Sequence, residues 1–256
     1  MTNNEYFNFS ATVDIGYDRE KQEDYVSFSN IGDNLLVVIA DGTGSSNKHL
    51  QPGAIVCTEI ESEAENLYEQ VPKEFENNIS KFLKLSMINA SHVLEGFKKG
   101  NEEKFGGYAA SVTVLLVTKE NKIYVAHAGN TRLYILRNGQ IGQLTVDHTK
   151  GTEYIREGKL TRDLYYTHPS SRTMTSGLGL IANPEIQTFS GNIMDQDILL
   201  MTTDGIHYAI QDKFIAQIII ESGTPENATA NLVTAAKELK YPDNMTAVII
   251  QKKSNL

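Results

Sequence analysis

Asn34-Leu35-Leu36-Val37-Val38-Ile39-Ala40-Asp41-Gly42 is the stretch that decides how this chain is built. Its apolar run is short and rich in β-branched residues, and it stops at Asp-Gly, a dipeptide that favours turns. That predicts a buried strand, with a carboxylate held where the strand leaves the core. The same grammar returns at Asp197–Thr203, where Ile198, Leu199, Leu200 and Met201 lead toward Asp204-Gly205. Asp243 opens the last apolar run, Met245 to Ile250, and Glu23-Asp24 precedes an early strand over Tyr25–Ser29.

Working outward, Val56, Ile60, Ala64 and Leu67 form one apolar stripe at helical spacing. Ile79, Leu83, Met87, Ala90, Leu94 and Phe97 form a second, with Gly96 or Gly100 as its stop and Gly106-Gly107 as a loop. Strands are predicted over 108–118, Ile123–Ala128, Arg132–Leu136 and Gln140–Leu144, with a hairpin turn at Asn138-Gly139. Strands so closely spaced imply antiparallel pairing. Residues 147–176 are polar and poorly periodic and read as a long surface segment, a kind of loop that often carries function. Thr224-Pro225 opens a helix that carries Ala228, Leu232, Ala235 and Leu239. Strands and helices come in blocks, which predicts an α+β fold of packed antiparallel sheets flanked by helices.

The 256 residues contain no low-complexity linker and no solenoid repeat, so one domain over 1–256 is expected. A net charge of −9 argues against non-specific nucleic-acid binding, which needs clustered Lys and Arg. Cys57 is the only cysteine, so no intramolecular disulfide and no thiolate zinc site is expected. It lies in an apolar helical stretch and reads as a buried small hydrophobe. Met1–Ser10 lacks a signal region, and no apolar run approaches the roughly 20 residues of a membrane span. A cytoplasmic location, with no membrane partner, is the resulting expectation.

Carboxylates at strand ends are held by rigid backbone, so several can converge without mobile loops. Converging carboxylates repel one another unless cations neutralise them. An all-oxygen set without Cys or paired His suits Mg²⁺ or Mn²⁺. One Asp-Gly after a strand is usually only a turn, so it is the combination of segments that points to chemistry.

Seven segments, in order, resemble the metal-dependent protein phosphatases of type 2C, over roughly Asp14 to Ile250. Asp14 through Arg19 to Glu23-Asp24 resembles the opening motif, and Val38 through Asp41-Gly42 to Gly44 the metal-binding Asp-Gly segment. Ala109–Val117 is similar to the small-residue strand, Val125 to Arg132 to the Val-Gly-Asp-Ser-Arg segment, and Gln143 to His148 to Leu-Thr-x-Asp-His. Asp197 to Ile206 resembles the Ser-Asp-Gly-Leu segment, and Asp243-Asn244-Met245-Thr246 the closing Asp-Asn-x-Thr.

The resemblance implies a four-layer αββα sandwich and hydrolysis of phosphoserine and phosphothreonine in proteins by water activated between two Mg²⁺ or Mn²⁺ ions. It implies that Asp41 bridges the ions, with the Gly42 carbonyl as a further ligand. Asp204 and Asp243 would complete one ion, Glu23 and Asp24 would bind the other directly or through water, and Arg19 would hold the substrate phosphate. A phosphoprotein substrate, a serine/threonine kinase as counterpart in signalling, and a monomeric state are expected. Taken singly, Arg19 sits in a charged run that is usually solvated, and Asp243-Asn244 reads equally as a turn. Asp147-His148 reads as a structural turn and His127 as a packed residue.

Three positions depart from the family pattern. Asn130 stands where an Asp is associated with a third ion, and a neutral amide is the poorer ligand. Thr43 stands where some relatives have His, and Ser176 where an Arg is expected, which makes 147–176 a divergent flap. The competing readings are a pseudophosphatase acting as a regulatory binding module, and a hydrolase of small phosphate esters or nucleotides. Gly42-Thr43-Gly44-Ser45-Ser46 is too short and Gly-poor for a phosphate-binding P-loop, and no Gly-x-Ser-x-Gly elbow supports a serine hydrolase.

Overall fold

A computed structural model describes residues 3–44 and 50–253. Ser45 and Ser46 of the glycine segment weighed above lie outside the described residues. The strands are β1 (Phe7–Asp14), β2 (Asp24–Ile31), β3 (Asn34–Thr43), β4 (Ala109–Val117), β5 (Lys122–Ala128), β6 (Arg132–Arg137), β7 (Gln140–Gln143), β8 (Gln187–Asn192), β9 (Ile198–Thr202) and β10 (Met245–Lys252). The helices are α1 (Pro52–Gln70), α2 (Pro72–Asn77), α3 (Ile79–Lys98), α4 (Glu102–Phe105), α5 (Lys150–Arg156), α6 (Arg162–Tyr165), α7 (Asp204–His207), α8 (Asp212–Ser222) and α9 (Pro225–Glu238), with a 3₁₀ turn at Pro169–Arg172.

The strands form two antiparallel sheets of five, in the orders β2-β3-β4-β5-β8 and β1-β10-β9-β6-β7. Side chains alternate across a strand, and here both faces of the central strands are covered. Leu35, Val37 and Ile39 of β3 meet Leu199, Met201, Val248 and Ile250 between the sheets. Leu36, Val38 and Ala40 face the other way, onto Val56, Ile60, Leu83 and Met87 of α1 and α3. On the second sheet Ala247 and Ile249 point outward to Leu232, Val233 and Ile219 of α8 and α9. Helix, sheet, sheet, helix is therefore the order of layers, the αββα sandwich expected from the sequence. Each aliphatic side chain sealed in these layers contributes about 1.5–3 kcal/mol of transfer free energy. No helix among the described residues is long and apolar enough to cross a membrane.

Several local expectations need correction. β3 does not turn at Asp41-Gly42. It runs on to Thr43, because Asp41 and Gly42 pair with Ser111 and Ala110 of β4. Asp204-Gly205 opens the helical turn α7 rather than a plain turn. The segment 147–176 is not a surface loop. It holds α5, α6 and the 3₁₀ turn, and buries Leu160 and Tyr165 against Tyr208. It has no readable period because each short piece buries only one or two side chains.

The buried guanidinium of Arg132 explains why that segment is tied down. Its Nη2 lies 2.6 Å from Asp147 Oδ2, its Nε 2.9 Å from Oδ1, and its Nη1 donates to the Tyr134 hydroxyl at 2.8 Å. The Tyr165 hydroxyl and Gln143 Nε2 donate to the same carboxylate, at 2.7 and 2.8 Å. Burial by itself pushes the Asp147 carboxyl upward, but the Arg132 charge and hydrogen bonds prevail and bring it down to about 2. Both side chains are only 2–3% exposed, so neither charge has water to fall back on. Arg132→Ala is therefore predicted to cost about 3–5 kcal/mol in urea unfolding, and Arg132→Met with Asp147→Leu distinctly less. A double variant as unstable as the single would contradict this account of the pair.

Candidate active site

Strand register brings the acidic residues together. Asp24 of β2 stands opposite Asp41 of β3, so both leave the first sheet at the same end. Asp204 follows β9 and Asp243 precedes β10, adjacent antiparallel strands of the second sheet. The two sheets are stitched at this edge by Asp24. Its Oδ2 accepts hydrogen bonds from the hydroxyls of Thr203 and Thr246, at 2.7 and 2.8 Å. Thr203 is the residue before Asp204, so this pair of bonds sets one carboxylate against another.

Tight backbone packing leaves little freedom here. The Gly42 amide donates to the Glu23 carbonyl at 3.1 Å, and a Cβ on Gly42 would lie 2.7 Å from Gly53 N. A Cβ on Gly205 would lie 1.9 Å from the Asn244 carbonyl oxygen, which explains the Gly after Asp204. Asn244 organises the loop that carries Arg19 and Glu23. Its Oδ1 accepts from the Glu23 amide at 2.8 Å, and its Nδ2 donates to the carbonyls of Ile15 and Lys21, at 2.8 and 2.9 Å. Asn130 Nδ2 donates to Asp204 Oδ2 at 3.2 Å, while its own amide is fixed by Ser111 Oγ at 2.7 Å.

The electrostatics follow from burial and like charge. Burial is the chief cause that raises Asp24 to about 7, opposed by its two threonine bonds and reinforced by Asp204 and Asp243. Burial likewise raises Asp204 to about 7. Asp243 adds to this, while Asn130, Arg172 and Arg19 oppose it. Asp41 is raised well above the ordinary range, by burial and then by Asp204, Asp24 and Asp243, with Arg19 in opposition. Arg19 Nη2 pairs with Asp243 Oδ1 at 2.8 Å and its Nε donates to the Pro242 carbonyl at 3.3 Å.

Arg19, Glu23, Asp24, Asp41, Gly42, Asp204 and Asp243, all singled out from the sequence, thus lie on one patch. Asp204 Oδ1 is buried and has no hydrogen-bond partner, an atom placed to accept a cation. Crowded carboxylates with such a bare oxygen, and no sulfur among the donors, fit hard divalent ions. Among the described residues no three acidic, His or Cys side chains close tightly enough to grip one ion as they stand. Asp243 is turned to Arg19 and Asp24 to its threonines.

Other residues of the patch escaped the sequence reading. Thr203, Thr246 and Asn244 carry no signal by type, although Asn244 and Thr246 belong to the closing motif. Tyr241 and Arg172 are a second surprise. The Arg172 guanidinium stacks over the Tyr241 ring at 5.2 Å, and Tyr241 lies in the field of Asp204, Asp243 and Asp41. His127 is packed as expected, with Nδ1 2.9 Å from Thr113 Oγ1. Burial and its neighbour His148 lower it to about 3, so it stays neutral. Ser176 is buried, and its hydroxyl accepts from the Glu185 amide at 2.7 Å, closing a loop rather than facing the patch.

With this geometry in hand, comparison with known proteins is informative. A family model described as "Protein phosphatase 2C" matches residues 17–238. Protein phosphatase PhpP of Streptococcus pneumoniae is 25% identical over 244 residues, 94% of this chain and 96% of its own. The solved serine/threonine phosphatase Stp1 from Staphylococcus aureus shares the fold with a TM-score of 0.85 and 24% identity, over 99% of this chain and 98% of that one. The catalytic domain of the serine/threonine protein phosphatase PstP, solved in complex with two manganese ions, gives 0.79 at 20% identity, over 97% and 99%.

The raised carboxylates make a pH prediction. Asp24 and Asp204 go from an ordinary 3.8 to about 7 on folding, so between those values the folded chain holds more protons than the unfolded one. Their contribution is therefore favourable at the acid end and is lost as pH rises through about 7. In chelated protein, the difference in melting temperature between Asp204→Asn and wild type should grow in the variant's favour across that window. A difference that is flat or shrinks with pH would contradict the burial of these charges.

Proposed function

The chain belongs to the protein phosphatase 2C family, and on that footing we propose that it is a protein-serine/threonine phosphatase working with two Mg²⁺ or Mn²⁺ ions. The observation that carries this reading is the convergence of Asp24, Asp41, Asp204 and Asp243 from both sheets, with Arg19 at the rim. Relatives across nearly the full length are named protein phosphatases, which supports a phosphoprotein as substrate and a protein kinase as the counterpart that makes it. The cytoplasm remains its expected setting.

Asp41, the Gly42 carbonyl, Asp204, Asp243, Glu23 and Asp24 are the groups that would hold the ions. Bound there, the ions supply an acidified water as nucleophile and positive charge beside the phosphoryl oxygens. The chain's own contribution is positioning. Arg19 offers a planar fork of donors that matches two phosphoryl oxygens, and its present bond to Asp243 keeps it at the site. Asn130 spends its amide on Asp204 Oδ2, which fixes that carboxylate and leaves Oδ1 for an ion. A neutral amide at this position is also a poorer ligand for a third ion than a carboxylate would be. Asn244 holds the loop of Arg19 and Glu23 in register with Asp243. Thr43 offers no imidazole nitrogen to protonate the leaving alkoxide.

The test is phosphate release from a phosphothreonine peptide with Mn²⁺, with Mg²⁺ and after chelation. Release should require the metal, and Asp41→Asn or Asp204→Asn should lower it by about 10²-fold or more while the circular dichroism stays unchanged. Full activity in either variant would overturn the site assignment. Folded protein that releases nothing with any metal would point to a regulatory binding module instead.

A further inference from the structure

Arg172 is the cation of this patch that the phosphatase reading leaves without a task. Its backbone is fixed from both sides. The preceding residue, Ser171, is buried, and its carbonyl accepts from the Tyr208 hydroxyl at 2.6 Å. The carbonyl of the following residue, Thr173, accepts from the Lys150 amide at 2.9 Å. The guanidinium carbon lies 5.2 Å from the Tyr241 ring centre and 5.9 Å from that of Tyr208. Tyr208 directly follows α7, which begins at Asp204, and Tyr241 is two residues before Asp243. Arg19 leans on the same turn, through Pro242 and Asp243.

Arg172 differs from Arg19 in one respect. Among the described residues it forms no ion pair, and its guanidinium carbon lies over two aromatic rings, which accept no N–H⋯O hydrogen bond from it. Its charge nonetheless reaches Asp204, whose carboxyl it pulls downward. A guanidinium without an ion-pair partner has N–H donors to offer, and the acceptor that matches a planar fork is a phosphoryl or carboxylate oxygen pair.

We propose that Arg172, positioned by Tyr241 and Tyr208, is a second arginine that binds the phosphoryl group of the substrate, alongside Arg19. The assignment rests on the phosphatase reading for the identity of the anion. The plain alternative is that Arg172 merely covers two tyrosines, a cation–π contact of about 0.5–1 kcal/mol at an exposed site, or offsets the charge of Asp204.

Orthophosphate is the probe. Its binding to Mn²⁺-loaded protein is measured by calorimetry for wild type, Arg172→Ala, Arg172→Lys and Tyr241→Phe, together with Mn²⁺ affinity and unfolding midpoints. Arg172→Ala should weaken orthophosphate about tenfold or more, as loss of hydrogen bonds to a charged group does. It should raise KM for p-nitrophenyl phosphate and for a phosphothreonine peptide alike. Lys should restore part of the loss, and Tyr241→Phe, which keeps the ring, should stay near wild type. Unchanged orthophosphate affinity in Arg172→Ala would overturn the assignment. A change in Mn²⁺ affinity that accounts for the whole effect, or a KM effect confined to the peptide, would overturn it as well. If wild type binds orthophosphate yet hydrolyses neither ester, the catalytic reading falls while Arg172 is judged on the binding data alone.

Discussion

Four carboxylates gathered at a buried edge between two sheets are the constraint on which the rest of this structure depends. Asp24, Asp41 and Asp204 are costly to ionise away from water, and the neighbouring carboxylates raise that cost further. The surrounding residues make sense as answers to that strain. Thr203 and Thr246 donate to Asp24, Asn130 donates to Asp204, and Arg19 and Arg172 place positive charge beside the cluster. Even so, Asp24 and Asp204 stay raised to about 7, so internal donors relieve only part of the repulsion. The proposed divalent cations would supply what those donors do not, and Asp204 Oδ1, buried without a hydrogen-bond partner, shows the shortfall at a single atom.

The fold serves this cluster. Packing on both faces of β3 makes that strand rigid, and the opposition of Asp24 and Asp41 is a consequence of register rather than of loop conformation. A one-residue slip of β2 against β3 would turn Asp24 to the opposite face and break its bonds to Thr203 and Thr246. Gly42 and Gly205 are small because neighbouring backbone occupies the space a side chain would need. The Arg132–Asp147 pair, also beside Tyr208, ties β6 to the segment that carries α5 and α6 and that leads to Arg172.

The parts that were legible in the sequence are those with a strong physical period or a fixed chemical spacing. The central strands announce themselves by continuous apolar runs, α1 and α3 by their stripes, and the hairpin by Asn138-Gly139. The acidic residues were legible because each stands beside such a run. β1, β8 and α8 were missed: β1 and β8 are edge strands with partly exposed faces, so their alternation is weak. The segment 147–176 was misread because its burial is scattered over single residues such as Leu160 and Tyr165. Asn244 and Arg172 act through partners more than 200 and about 70 residues away in sequence, respectively, and no local pattern encodes such contacts.

The central claim is that this patch exists to hold divalent cations, and calorimetric titration of the chelated protein with Mn²⁺ tests it most directly. The account predicts saturable binding near neutral pH that releases protons, since raised carboxyls must ionise to bind, and that is strongly weakened in Asp204→Asn. Wild type that binds no Mn²⁺, or Asp204→Asn that binds it equally well with the same proton release, would contradict the account.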